Sequence, residues 1–345
     1  YRNLMDPYAR EWRNGNSRWD LIDTVRLTYA LRPEGIRWPV REDGAPSFRL
    51  EDLTAANAIE HGAAAHDALG DVRATIALAR LLRERKGKLL DYVLAHRGKH
   101  QVAARLDPEA MTPVVHTSAR YPATRGCTAL VAPVARHPVN RNGVVVWDLR
   151  QDPGPFLALD DDELARLLFA RGDALPQGAE RPALKVLHVN RAPVVVPANT
   201  LDREAAARLD IDLEAAARHR ERLRAAPGLG ERLARLYAPG PGEAADPAPE
   251  TALYGAFIGD EDRARLERLL ARDPADLAGP EPPFDDPRLP ELFFRFRARN
   301  HPEILSPEER ARWRDYRRRR LLDPEGGAGI HWDAFRERIA ALRAG

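Results

Sequence analysis

The stretch Ala129-Leu-Val-Ala-Pro-Val-Ala-Arg-His-Pro-Val-Asn-Arg-Asn-Gly-Val-Val-Val-Trp-Asp-Leu149 sets two runs rich in valine, 129–134 and 144–149, on either side of a segment rich in Pro, Asn and Gly. Branched side chains suit a pleated strand, and the residues between them suit a turn, so the stretch reads as two short strands. Working outward, Val114-Val115 follows Pro113, and further apolar runs occupy 186–189 and 194–196. Short strands at this spacing predict a small twisted sheet or barrel. Helical patterns at 161–171 and 203–226 are inserted among them.

Upstream the periodicity is helical. Trp19, Ile22, Val25 and Tyr29 step by three and four over 18–31, and Pro33 stops the run. A short helix is expected over 50–57, with Ser47 placed to cap it. Leu69, Val72, Ile76 and Ala79 mark a helix over 67–85 that Gly87 closes. Downstream, residues 238–250 are rich in Pro and Gly and read as a linker. Beyond it, 260–272, 290–299, 307–322 and 331–344 read as helices, the third carrying the run Arg317-Arg-Arg-Arg320. There is no internal repeat.

At 345 residues the chain has room for two or three domains. Its 44% hydrophobic and 31% charged residues fit a globular protein, and no apolar run is long enough to span a bilayer. With 54 basic against 52 acidic side chains, an anionic partner must be held by local patches. Lysine occurs only at Lys86, Lys88, Lys99 and Lys185, so arginine supplies nearly all the positive charge. The single cysteine, Cys127, excludes an intramolecular disulfide and a thiolate metal cage, and a reducing cytoplasm fits. The chain begins at Tyr1 with neither methionine nor leader, and is expected to be a piece of a longer protein.

The most specific local signal is Ala65-His66-Asp67-Ala68-Leu69-Gly70-Asp71. If Asp67 caps the helix, His66 lies just outside it and Asp71 on its first turns. In metal-dependent phosphodiester hydrolysis a carboxylate holds a divalent ion and an imidazole takes a proton from the attacking water. The same residues also fit a plain reading, in which the two aspartates favour the helix dipole and His66 is a surface residue.

A wider set of segments narrows the choice. Asp6-Pro-Tyr-Ala, Ser17-Arg-Trp-Asp-Leu, Ala30-Leu-Arg-Pro-Glu-Gly-Ile, Trp38-Pro, Pro46-Ser-Phe-Arg-Leu-Glu and Glu60-His61 run in order into Ala65–Asp71. His137-Pro-Val-Asn-Arg-Asn, Pro197-Ala-Asn-Thr-Leu and Phe294-Arg-Phe-Arg-Ala-Arg-Asn continue the series. Together they resemble bacterial exodeoxyribonuclease I, over most of the chain.

The resemblance implies an α/β plus α+β architecture. Residues 1–86 would be the C-terminal part of a ribonuclease H-like exonuclease domain. Residues 87–237 would form a small SH3-like β-barrel domain with inserted helices, which lines the DNA channel. A linker, 238–250, would lead to an α-helical C-terminal domain, 251–345. It also implies magnesium-dependent removal of nucleotides from the 3′ end of single-stranded DNA, releasing 5′-mononucleotides, in DNA repair and recombination. In this family the site combines four acidic residues with a histidine. His66 matches the general base and Asp71 the last acidic metal ligand. The other three match nothing here, and a nuclease domain of ordinary size needs on the order of a hundred further residues. One aspartate cannot fix metal ions about 4 Å apart, so these residues alone are expected to be inactive. The other reading kept open is a non-catalytic module that binds single-stranded DNA or a partner's tail.

Further positions carry over one by one. Tyr8, Trp12, Arg26 and Arg49 match DNA contacts near the cleft, and Lys99, Asn142, Lys185 and Asn190 match DNA-facing positions of the SH3-like domain. Aromatic faces for bases and cations or amides for phosphates are what a single-strand channel requires. The family also docks the acidic, apolar C-terminal tail of single-stranded DNA-binding protein. Arg32, Tyr92 and Arg224 match that surface, whereas Thr112, Pro197 and Asp202 stand where basic or amide side chains are expected. A monomer is expected.

Overall fold

Five strands build one antiparallel sheet, β1 (Val114–Thr117), β2 (Thr128–Arg136), β3 (Gly143–Asp148), β4 (Leu184–His188) and β5 (Val195–Pro197), in the order β4-β3-β2-β1-β5. All five expected strands are present in this computed structural model, which describes residues 19–59, 68–170, 175–176, 178–238, 249–250, 252, 258–280, 282–323 and 330–344. Pro133 cannot donate to the ladder, and the β2–β3 register shifts between Pro133 and Ala135. Alternate residues face opposite sides. Val115, Leu130, Ala132, Val145, Trp147 and Val196 enter the larger core, which they share with several helices. Val114, Ala129, Val131, Val144, Val146 and Leu187 form a smaller cluster on the other face.

Among the described residues, four helices precede the sheet: α1 (Leu21–Leu31), α2 (Leu50–Ala56), α3 (Ala68–Ala95) and α4 (Lys99–Arg105). Asp20 caps α1 by accepting from the Ile22 amide. Ser47 does not cap α2. Arg49 holds that position, and the Ser47 hydroxyl instead donates to the Asp52 carboxylate. Gly87 does not end α3 either. Lys86 leaves helical geometry (φ −136, ψ 37), and the helix resumes to Ala95, so the expected domain boundary at 86/87 falls on this kink. The apolar stripe used to locate α3 also proves to be its outer one. Leu69, Val72 and Ile76 are 54%, 55% and 46% exposed, while Gly70, Ala74, Leu78 and Leu82 are buried. Leu78 and Leu82 pack with Val25, Phe48, Leu53 and Cys127.

After β3 come α5 (Gly154–Leu157) and α6 (Asp161–Phe169); after β5 come α7 (Arg203–Arg208), α8 (Leu213–Ala225) and α9 (Leu229–Leu236). The helix expected over 203–226 is two, because Asp210 has φ +55 and Asp212 caps a new helix through the Glu214 and Ala215 amides. Ala205, Leu223, Leu229 and Leu233 close the larger core. All of this belongs to one unit, Arg18–Gly240.

The C-terminal unit holds α10 (Asp260–Leu270), α11 (Leu289–Asn300), α12 (Pro307–Leu322) and α13 (Trp332–Ala344). Leu266, Leu269, Leu289, Leu292, Phe293 and Phe296 form its core. Arg295 and Arg297 are buried on α11, and such cations require partners. Arg295 pairs with Glu250 and Glu291 and lies 4.1 Å from the Tyr316 ring centroid, while Arg297 pairs with Glu309. Glu309 also completes a capping box with Ser306 at the start of α12. Of the expected linker, 239–248 lies outside the described residues.

Candidate nucleic-acid interface

Among the described residues, the smaller face of the sheet packs against Val102 and Ala103 of the short α4, the following Leu106, and Tyr121. Beside this cover stands Lys185, on the edge strand β4 opposite Val146. Its Nζ lies 2.7 Å from Nε2 of His116 and 4.7 Å from the ring centroid of Tyr121. Burial, aided by Arg120, pushes the Lys185 ammonium down to about 8, against a smaller upward pull from Asp23. Burial and the Lys185 charge push His116 down to about 3, so its imidazole is neutral.

The turn between β2 and β3 brings the asparagines to the same edge. Gly143 donates to the Asn140 carbonyl at 2.7 Å, and a Cβ on Gly143 would sit 2.7 Å from Cβ of His137, so the turn requires glycine. Asn142 accepts the Val189 amide on its carbonyl at 2.9 Å, while its side-chain Oδ1 is buried without a partner among the described residues. Val189 opens the 3₁₀ turn Val189–Arg191, which exposes Asn190 and against which α4 packs. Exposed Lys99 is the first residue of α4. The structure thus brings Lys99, Asn142, Lys185 and Asn190 to one side of the sheet. Arg120, Arg191, His137 and His188 add positive or titratable groups there, and burial with Arg191 pushes His188 down.

Of the positions expected at the cleft, Asp71, Arg26 and Arg49 fall among the described residues. Asp71 lies on the first turn of α3, where its carbonyl accepts the Thr75 hydroxyl at 2.8 Å. His66, Tyr8 and Trp12 lie outside the described residues. Arg49, 70% exposed, pairs with Glu51. Arg26 is largely enclosed: it pairs with Asp23 at 2.7 Å and lies 5.8 Å from the Phe48 ring centroid. No group of three or more His, Cys, Asp or Glu that could hold a metal occurs among the described residues. One aspartate does not fit a magnesium ion, which keeps near-octahedral oxygen ligation. Burial pushes the Cys127 thiol up, which suits packing rather than nucleophilic chemistry.

The three positions matched to a partner surface differ in availability. Arg32 is engaged by Asp202 at 3.3 Å. Tyr92 stacks on His96 with centroids 4.1 Å apart and accepts from Arg105 at 2.9 Å. Arg224 is exposed on α8. The sequence reading missed His116 and Tyr121. The one available signal was a histidine set inside the apolar strand Val-Val-His-Thr.

Comparison with known proteins fits this layout. Residues 97–239 match the family model described as the Exonuclease I SH3-like domain, and 247–345 match the Exonuclease I C-terminal domain. Exodeoxyribonuclease I of Escherichia coli K12 is 44% identical over 325 residues, which is 94% of this chain and 68% of that protein. The solved Exonuclease I from Methylocaldum szegediense has a TM-score of 0.87 at 50% identity, covering 100% of this chain and 72% of that one. The E. coli enzyme in complex with a 5cy-dT13 oligonucleotide has a TM-score of 0.87 at 41% identity, covering 99% and 71%. An ExoI/SSB-Ct complex has a TM-score of 0.83 at 40% identity, covering 99% and 70%. With identity this high along nearly the whole of this chain and more than two thirds of its relative, the chain belongs to the exodeoxyribonuclease I family.

Proposed function

We propose that these residues form the strand-tracking part of a 3′–5′ exodeoxyribonuclease that degrades single-stranded DNA to 5′-mononucleotides in DNA repair and recombination. The observation that carries this reading is the gathering of Lys99, Asn142, Lys185 and Asn190 on one side of the SH3-like sheet, in a family whose solved members include oligonucleotide complexes. Cations track phosphates, and the asparagine amides can hydrogen-bond to phosphates, sugars or base edges.

His66 and Asp71 are proposed as general base and metal ligand, with magnesium as cofactor and the remaining carboxylates supplied by chain beyond these 345 residues. The exposed Leu69, Val72 and Ile76 on α3 fit that reading, since such a stripe is ordinarily covered. Tyr8, Trp12, Arg26 and Arg49 are proposed as the DNA contacts nearest the reacting end. No described helix is long and apolar enough to cross a membrane, and the cytoplasm is the proposed location of a monomeric enzyme.

Binding of an oligothymidylate with chelator present tests the interface. Removing Lys99 or Lys185 should each lower the slope of log affinity against log salt by about 0.7, the single-strand value per phosphate contact. Unchanged slopes would place the DNA elsewhere. For this chain taken alone, a non-catalytic module that binds single-stranded DNA or a partner's tail is the second reading.

Arg32, Tyr92 and Arg224 are proposed to receive the acidic tail of single-stranded DNA-binding protein, as the family's SSB-Ct complex suggests. Asp202 competes for Arg32 with that tail, and it also caps α7 through the Ala205 amide. Asn caps as well as Asp, so Asp202→Asn should leave stability unchanged and raise tail affinity about two- to five-fold, the worth of an exposed ion pair. Titration with a tail peptide measures this, and equal affinities would place the tail away from Arg32.

A further inference from the structure

The Lys185 ammonium is half-buried, yet no carboxylate lies within ion-pair distance of it among the described residues. A desolvated cation with no counter-ion is costly, and the protein tolerates it where an anion is to be bound. Two neutral groups hold it instead. His116 Nδ1 lies 2.9 Å from the Val194 carbonyl oxygen, which accepts only, so the proton of the neutral ring sits on Nδ1. Nε2 is then a lone pair, and the ammonium donates to it at 2.7 Å. The Tyr121 ring covers a second side at 4.7 Å and meets His116 edge-on at 5.9 Å.

We propose that His116 and Tyr121 are positioning residues, which hold the Lys185 ammonium in one place as a preset contact for a DNA phosphate. This rests on the reading that this side of the sheet carries single-stranded DNA. Asp23 on α1 favours the ammonium, while Arg120 in the loop after β1 opposes it. Lys185 in turn holds down His188 on its own strand, and Asp148 and Arg150 act on Tyr121. A phosphate arriving at the ammonium favours the charged form, so DNA binding above about pH 8 takes up a proton.

The test is oligothymidylate affinity of the full chain between pH 7 and 10, with chelator present. The wild type should bind evenly below about pH 8 and lose affinity above it. Lys185→Arg, which stays charged, should bind without that fall. His116→Gln should weaken binding about ten-fold at neutral pH, the scale of a lost hydrogen bond to a charged group, and move the fall to lower pH. It should change nothing further in a Lys185→Ala background.

Two failures are distinguishable. If Lys185→Ala leaves affinity unchanged, the DNA reading of this face fails. If Lys185→Ala weakens binding but His116→Gln alters neither affinity nor pH profile, the positioning role fails and the DNA reading stands. Should His116→Gln not fold, nitrogen NMR of the wild type decides. The proposal expects a neutral ring protonated on Nδ1 through pH 5; an ordinary histidine titration near 6.5 overturns it.

Discussion

In an enzyme extended upstream in its own reading frame, His66→Ala is expected to lower kcat on single-stranded DNA by about 10²- to 10⁴-fold, the contribution of one positioned general base. Affinity for DNA should hardly change, because every side chain proposed to contact the strand, Arg26, Arg49, Lys99 and Lys185 among them, is left in place. Gly70, Ala74, Leu78 and Leu82 fix α3 against the protein, which sets Asp71 on a rigid first turn. His66, the proposed base, stands five residues earlier in the sequence. Asp71→Asn should cost at least as much, since it removes charge from the proposed metal ligand. Single-turnover nucleotide release measures both. If His66→Ala keeps more than about a tenth of the rate, the base lies elsewhere.

The second large effect concerns stability. Trp147 is 2% exposed in the core that joins the sheet to its helices, beside Phe156 at a centroid distance of 5.8 Å. Its indole N–H donates to the Gln151 carbonyl at 3.0 Å, which satisfies the one polar atom buried with it. Trp147→Ala removes the largest side chain of that core and leaves a cavity, so the expected loss is about 3–5 kcal/mol. Against a total stability of roughly 5–15 kcal/mol, much of the margin goes. Urea unfolding should show a lower midpoint with the denaturant slope nearly unchanged. A loss below about 1 kcal/mol would mean the sheet and helices do not share one core.

The strands were legible in the sequence because each valine run is bounded by Pro, Gly or Asn, and all five appear close to where those boundaries put them. Other features turn on choices that periodicity cannot rank. On α3 two apolar stripes exist, and Leu69, Val72 and Ile76 look the stronger; the buried one uses Gly70 and Ala74, whose small size lets the helix pack closely. The run 203–226 kept a helical pattern across Asp210, whose left-handed backbone breaks it. The match of Arg26 to a DNA contact gives no sign that Asp23, three residues earlier, pairs with it beside the Phe48 ring. The resemblance supplied Lys185 but not the cage around it, because His116 and Lys185 stand 69 residues apart and meet only across the folded sheet.

Release of labelled 3′ nucleotides from a single strand, with magnesium, is the most direct test of the central claim. The 345-residue chain is compared with the same chain extended upstream. The account predicts that the extended enzyme degrades the strand and that the chain alone binds it without hydrolysis. Degradation by the chain alone would contradict the assignment of the missing ligands, and binding without hydrolysis by both would leave a binding module in place of a nuclease.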